Sequence, residues 1–191
     1  LPEAFILGKN FIKNDNVALI LGDNFFYGQS LTSKLEKSLL HKNGARIFLK
    51  KENKPENYGI AKISKNSIEK ILEKPKKFIS DQAITGLYFF DNKVYKYAKT
   101  LKPSKRGELE ITDLLNIYKK NKSLKFEFIG RGAIWSDAGK IDDMTNVSNF
   151  VESIEKVQGL KIACLEEIAL FKKWITRKII SKNIKFYGNC E

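Results

Sequence analysis

Two short apolar-rich runs, residues 17–21 (V-A-L-I-L) and 45–49 (A-R-I-F-L), bracket a helical stripe, and this order constrains the fold more than any other feature. Between them, Leu31, Leu35, Leu39 and Leu40 recur on one face of a helix over residues 31–41. Strand, helix, strand is a βαβ unit. It predicts a parallel pair of strands with helices covering the sheet, and so an α/β fold.

The middle of the chain changes character. Residues 58–63 (Y-G-I-A-K-I) and 67–72 (S-I-E-K-I-L), separated by S-K-N, read as a hairpin whose second strand exits at E-K-P. Residues 84–90 (I-T-G-L-Y-F-F) read as a strand with Gly86 inside it, and a glycine there marks close approach by a ligand or another backbone. Helices are expected over 92–101 and 109–121, a strand over 124–129, and a turn-rich stretch over 131–139. At the start, Phe5, Ile6, Phe11 and Ile12 are spaced for one face of a helix. From residue 141 the pattern is helical, over 141–157, 166–175 and 176–182. There is no internal repeat and no low-complexity linker. Strands cease near residues 150–159, which divides the chain into a domain over 1–150 and a helical segment over 151–191.

Composition removes several classes of function. The 191 residues suit one domain with a small appendage, and 42% hydrophobic residues, 12% of the total aromatic, are enough for a sizeable core. No apolar run approaches the ~20 residues of a membrane span, and the start L-P-E-A-F-I-L-G lacks the basic and long apolar regions of a signal peptide. The first residue is Leu1, in a helix already under way, so the chain is expected to begin inside a domain. The net charge of +13 is almost all lysine, scattered along the chain, with arginine only at 46, 106, 131 and 177. Without aromatic interleaving this reads as general basicity, and no nucleic-acid partner is expected. Cys164 and Cys190 are too few for a metal site or a disulfide framework. His41 is the one histidine, which argues against zinc chemistry and a Ser-His-Asp triad. Carboxylates, Lys, Arg and backbone amides remain for chemistry, in a protein expected to be reduced and cytoplasmic.

Four stretches carry such groups. In L-G-D-N, Asp23 ends a buried strand, where α/β sheets place their ligands, and its hard oxygens suit Mg²⁺; G-D-N is equally turn chemistry. In E-K-P, Glu73 can accept from hydroxyls and Lys74 is a mobile charge for a phosphate, or the two are a solvated pair before a turn. In S-K-R-G-E-L-E-I-T-D, Arg106 supplies a rigid fork for phosphate or carboxylate, while Glu108, Glu110, Thr112 and Asp113 open a helix whose dipole favours acids. In W-S-D-A-G, Asp137 is either a second metal ligand or the cap of the following helix.

Taken in order, L-G-D-N-F-F-Y-G, Y-G-I-A, I-L-E-K-P, I-T-G-L-Y-F-F-D, K-P-S-K-R-G-E-L-E-I-T-D, G-R-G-A-I-W-S-D-A-G and Q-G-L-K-I-A-C-L-E-E-I-A resemble the glucose-1-phosphate thymidylyltransferases. These are the sugar nucleotidyltransferases that make dTDP-glucose on the way to dTDP-rhamnose. The resemblance covers nearly the whole chain. It implies a Rossmann-like mixed sheet of the nucleotide-diphospho-sugar transferase type with a C-terminal helical segment. It also implies Mg²⁺-dependent condensation of dTTP with glucose 1-phosphate, releasing pyrophosphate by direct attack at the α-phosphorus. By the same resemblance Asp23 and Asp137 are the metal-binding acids, and Lys74 and Arg106 contact the sugar phosphate and carry catalysis. Gly59 and Glu73 contact sugar hydroxyls with Tyr88 nearby, and Tyr58, Gly86, Glu108 and Trp135 complete the substrate-binding set. The family is commonly a homotetramer with a regulatory nucleotide site.

Two departures stand out. The family's first strand and its glycine-rich loop, G-x-G-T-R-L-x-P-x-T, have no counterpart in these residues, and W-x-D-T-G reads W-S-D-A-G. A sheet without a central strand exposes unpaired edges, so these residues alone are expected to fold poorly or depend on a partner, with little transferase activity. The alternative is a non-catalytic accessory chain that binds sugar phosphate and assembles with an intact enzyme.

Overall fold

The computed structural model describes residues 1–187; Cys190 lies outside the described residues. The chain divides into two compact units, Leu1–Asp143 and Met144–Glu191.

The first unit is built on β6 (Gln82–Phe90). One edge of β6 pairs with β3 (Ala45–Lys51) throughout. The other edge is shared between β4 (Gly59–Ser64), beside Ala83, and β1 (Val17–Ile20), beside residues 87–90. β5 (Ser67–Glu73) closes the expected hairpin with β4, and β7 (Leu124–Phe128) adds parallel to β3, giving the order β5-β4-β6-β3-β7 with β1 beside β6. The parallel pair expected from strand, helix, strand is therefore corrected. β1 and β3 run in the same direction, but β6 lies between them and is antiparallel to both. A nine-residue strand buried along almost its whole length outcompetes the local connection for both partners.

Alternation along β6 feeds both faces. Ile84, Tyr88 and Phe90 join Phe5, Ile47, Leu49, Leu114, Leu115 and Tyr118 on one side, beneath α1 (Glu3–Leu7), α4 (Val94–Ala98) and α5 (Ile111–Lys120). Ala83 and Leu87 join Phe48, Ile60, Ile129 and Trp135 on the other, with Leu35 from α3 (Leu31–Leu39) packed against them. This is the period-2 pattern of a strand covered on two sides. The opening helix is interrupted: α1 stops at Gly8, α2 (Lys9–Ile12) follows, and Phe11 points to solvent while Phe5 and Ile12 are buried. The helix expected over 92–101 keeps only one regular turn, α4.

A second, two-stranded sheet was hidden in the sequence. β2 (Asn24–Tyr27) pairs antiparallel with β8 (Ile134–Asp137), and β8 falls in the stretch expected to be turn-rich. Gly28, at φ 152°, lets the end of β2 close on β8, because a Cβ there would lie 2.7 Å from Ala133 Cα. The two strands place Asn24 directly opposite Asp137.

The second unit is helical. α6 (Ile141–Gln158) runs into it and ends at Gly159, φ 68°. Glu155 then accepts from Lys161 Nζ at 2.9 Å and from the Ile162 N–H at 2.8 Å, which fixes the connection to α7 (Leu165–Phe171) and α8 (Arg177–Tyr187).

Candidate active site

The site forms where β1 and β5 end. Leu21 still bonds to β6, donating its N–H to the Gly86 carbonyl at 2.9 Å, and the Asn24 N–H then closes a turn onto the Leu21 carbonyl at 3.1 Å. Asp23 sits in that turn. Turn chemistry and a presented carboxylate thus coexist at one position. The Asp23 carbonyl accepts the Ala138 N–H at 2.7 Å, so the turn is also fastened to the segment carrying Asp137.

The two acids converge on Gly139. A Cβ there would lie 3.2 Å from Asp137 Oδ1 and 3.6 Å from Asp23 Oδ2. Burial, then the Asp23 charge, pushes the Asp137 carboxyl above its ordinary value, with the Gly139 N–H opposing. Among the described residues no group of three or more His, Cys, Asp or Glu side chains gathers to hold a metal. A pair of carboxylates fits a hard cation that takes its remaining oxygens from phosphate and water, and does not fit a structural zinc.

Beside this pair lies a cavity of about 150 Å³. Tyr58, Gly59, Glu73, Lys74, Gly86, Tyr88, Trp135 and Asp137 all line it, so the structure brings together most of the residues expected from sequence. Gly59 faces Glu73 across the β4–β5 ladder. Burial raises the Glu73 carboxyl first, and the Glu110 charge raises it further; a hydrogen bond from Thr112 and the charges of Lys74 and Arg106 oppose. Tyr88 belongs to the core, stacked on Phe90 with ring centroids 6.1 Å apart, and also lines the cavity. Tyr58 meets Trp135 edge to face at 5.1 Å. Lys74 has φ 39°, a left-handed conformation that is strained in the residue before a proline, and its N–H donates to the Tyr58 carbonyl at 3.0 Å.

Arg106 and Glu108 stand apart from that cavity. Arg106 lines an adjoining cleft of about 610 Å³ that shares Glu73, Lys74 and Thr112 with it. Its guanidinium lies 4.0 Å from Glu73, 3.3 Å from Glu108 and 3.8 Å from Glu110. Glu110 is buried and accepts from Ser104 Oγ at 2.7 Å, which holds the 104–110 loop closed.

The glycine inside β6 lines the cavity and also makes room for the Asn24 side chain. A Cβ on Gly86 would lie 2.5 Å from Asn24 Oδ1. Sequence reasoning missed Asn24, Thr112 and Glu110 as site residues. All three stand in stretches already singled out, but their side chains had been assigned to a turn and a helix start.

A nucleotidyl transferase family model matches residues 1–154. The chain is similar to the glucose-1-phosphate thymidylyltransferase of Neisseria meningitidis serogroup A, 46% identical over 180 residues, covering 92% of this chain and 62% of that protein. It is also similar to the enzyme of that name from Neisseria gonorrhoeae, 45% identical over 186 residues, covering 97% and 65%. It therefore spans less than two thirds of the length of these relatives. Among solved structures, a putative glucose-1-phosphate thymidylyltransferase from Bacillus anthracis in complex with a sucrose superposes with a TM-score of 0.71 at 38% identity, covering 78% of this chain and 60% of that one. An apo UDP-glucose pyrophosphorylase, at 22% identity and a TM-score of 0.67 over 81% and 60%, shares the fold.

Proposed function

From the match over residues 1–154, the chain belongs to the nucleotidyl transferase family, and we propose that it carries the sugar-phosphate and metal side of a glucose-1-phosphate thymidylyltransferase site. The observation that carries this is the shared cavity, which is lined by a hydroxyl acceptor, Glu73, a phosphate-seeking cation, Lys74, and the acid Asp137. Glu73 accepts from sugar hydroxyls, with Gly59 leaving space for the ring. Lys74 and Arg106 hold the sugar phosphate. An oxygen of that phosphate attacks the α-phosphorus of dTTP, the new P–O bond forms as the α–β bridging bond breaks, and pyrophosphate leaves. Catalysis of this kind rests on positioning and charge neutralisation. Asp23 and Asp137 would hold Mg²⁺, which supplies neutralisation of phosphate charge when bound. Trp135 and Tyr58 wall the cavity against water.

A homo-oligomer belongs to the same proposal. It is supported by the apolar side chains that the 144–187 unit leaves exposed, among them Val157, Phe171 and Trp174. No described helix is long and apolar enough to cross a membrane.

The test is a pyrophosphate-release assay with Mg²⁺, dTTP and glucose 1-phosphate. The 191 residues alone are expected to turn over slowly, since the family's triphosphate-wrapping loop has no counterpart in them. Asp137→Asn is expected to remove the remaining turnover by roughly 100-fold. Turnover left unchanged by Asp137→Asn contradicts the reading.

A further inference from the structure

Asn24 stands at the meeting point of three strands. Its Oδ1 accepts from Trp135 Nε1 at 2.6 Å on β8 and from the Gly86 N–H at 2.9 Å on β6. Its Nδ2 donates to Asp23 Oδ1 at 2.9 Å. An indole N–H and a backbone N–H can only donate, so both demand an acceptor. Together they fix which end of the carboxamide is oxygen, and the NH₂ has to face Asp23. The absence of a side chain at Gly86 is what admits the carboxamide.

The consequence falls on Asp23. That carboxylate stands on an exposed turn, where packing alone does not fix its orientation. One of its oxygens, Oδ1, is taken by Asn24, and the other, Oδ2, is the one that lies toward Gly139 beside Asp137 Oδ1. Asp137 is restrained on its side by the Gly139 N–H, 3.3 Å from its Oδ1. The two acids are thereby held by different partners and present oxygens to a common space.

We propose that Asn24 is a positioning residue: by holding Asp23 Oδ1 it leaves Oδ2 aimed, with Asp137, at a divalent cation. This rests on the metal-binding role proposed above for Asp23 and Asp137. Partners that orient a metal-binding carboxylate contribute about 10-fold or more to metal affinity. Asn24 also ties that affinity to the wall of the sugar cavity, because Trp135 and Gly86 line it.

The experiment is Mn²⁺ binding to the full chain, read by electron paramagnetic resonance of the free ion, in a double-mutant cycle. Asn24→Ala is expected to weaken Mn²⁺ binding about 10-fold. In an Asp23→Asn background the same change is expected to have no further effect, whereas in an Asp137→Asn background it keeps its effect. A general loss of packing would weaken binding equally in all three backgrounds. Asn24→Ser, which keeps a small polar side chain but cannot span to Asp23, is the second variant and is expected to behave alike; thermal melting confirms that each variant is folded. Wild-type affinity in both variants, or equal weakening in the Asp23→Asn background, overturns the role of Asn24 alone. No Mn²⁺ binding by the wild type overturns the metal reading and this role with it.

Discussion

Gly59 and Glu73 are direct partners across the β4–β5 ladder, and a Cβ on Gly59 would lie 3.3 Å from Glu73 Oε2 and 2.9 Å from Thr112 Cγ2. The glycine is thus the clearance that lets a half-buried carboxylate and a buried threonine lie side by side. Gly59→Ala is expected to displace both and to weaken glucose 1-phosphate binding about 10-fold, with a loss of stability of about 1–3 kcal/mol from overpacking. Calorimetric titration and urea unfolding check the two halves. Unchanged affinity would separate Glu73 from the sugar.

The raised pKa of Glu73 gives a pH dependence of definite sign. Burial is the main cause and Glu110 the second. The charged form is the better acceptor for hydroxyls, so affinity for glucose 1-phosphate falls as pH drops through the raised pKa of Glu73. Stability runs the other way. The folded state binds the Glu73 proton more tightly than the unfolded chain, so this contribution is fully present below the ordinary carboxylate pKa. It is lost as pH rises through the raised one. Glu73→Gln is expected to raise the melting temperature at neutral pH, flatten its pH dependence, and weaken glucose 1-phosphate binding about 10-fold. A variant that melts lower at neutral pH and binds normally would contradict both signs.

Legibility varied with the range of the interaction. The β4–β5 hairpin, α5 and the long helix α6 were readable because turn residues and periodicity are local signals. The β2–β8 pair was not, because Asn24 and Asp137 lie far apart in sequence and each strand has only four residues. Partner choice by β6 was also hidden: β1 and β3 look like neighbours until a longer, more buried strand competes for both. That Glu73, Lys74 and Asp137 come together at one cavity follows the expectation from motif and resemblance together. Asn24 was adjacent to Asp23 and still missed, since its two acceptor bonds depend on Trp135 and Gly86, which only the fold brings near.

Asp91 carries a separate structural prediction. It is buried and accepts from the Gly44 N–H at 2.7 Å, Tyr118 Oη at 2.8 Å and the Lys93 N–H at 3.1 Å. Asp91→Ala leaves three donors without a partner and is expected to cost about 3 kcal/mol in urea unfolding. Tyr118→Phe removes a single bond and is expected to cost about 1 kcal/mol. Neither residue lines the cavity beside Asp137, so affinity for glucose 1-phosphate is expected to hold in whichever variant remains folded.

The central claim is that the cavity bounded by Glu73, Lys74 and Asp137 is a sugar-phosphate site. Titration of glucose 1-phosphate into the chain by isothermal calorimetry tests it most directly, because binding can be read without turnover. The account predicts saturable binding at one site, weakened at least about 10-fold by Lys74→Ala and by Arg106→Ala, and unchanged by Lys119→Ala, a lysine near the C-terminal end of α5 that lines a different cleft. Absence of binding, or the same affinity in Lys74→Ala as in the wild type, would contradict it.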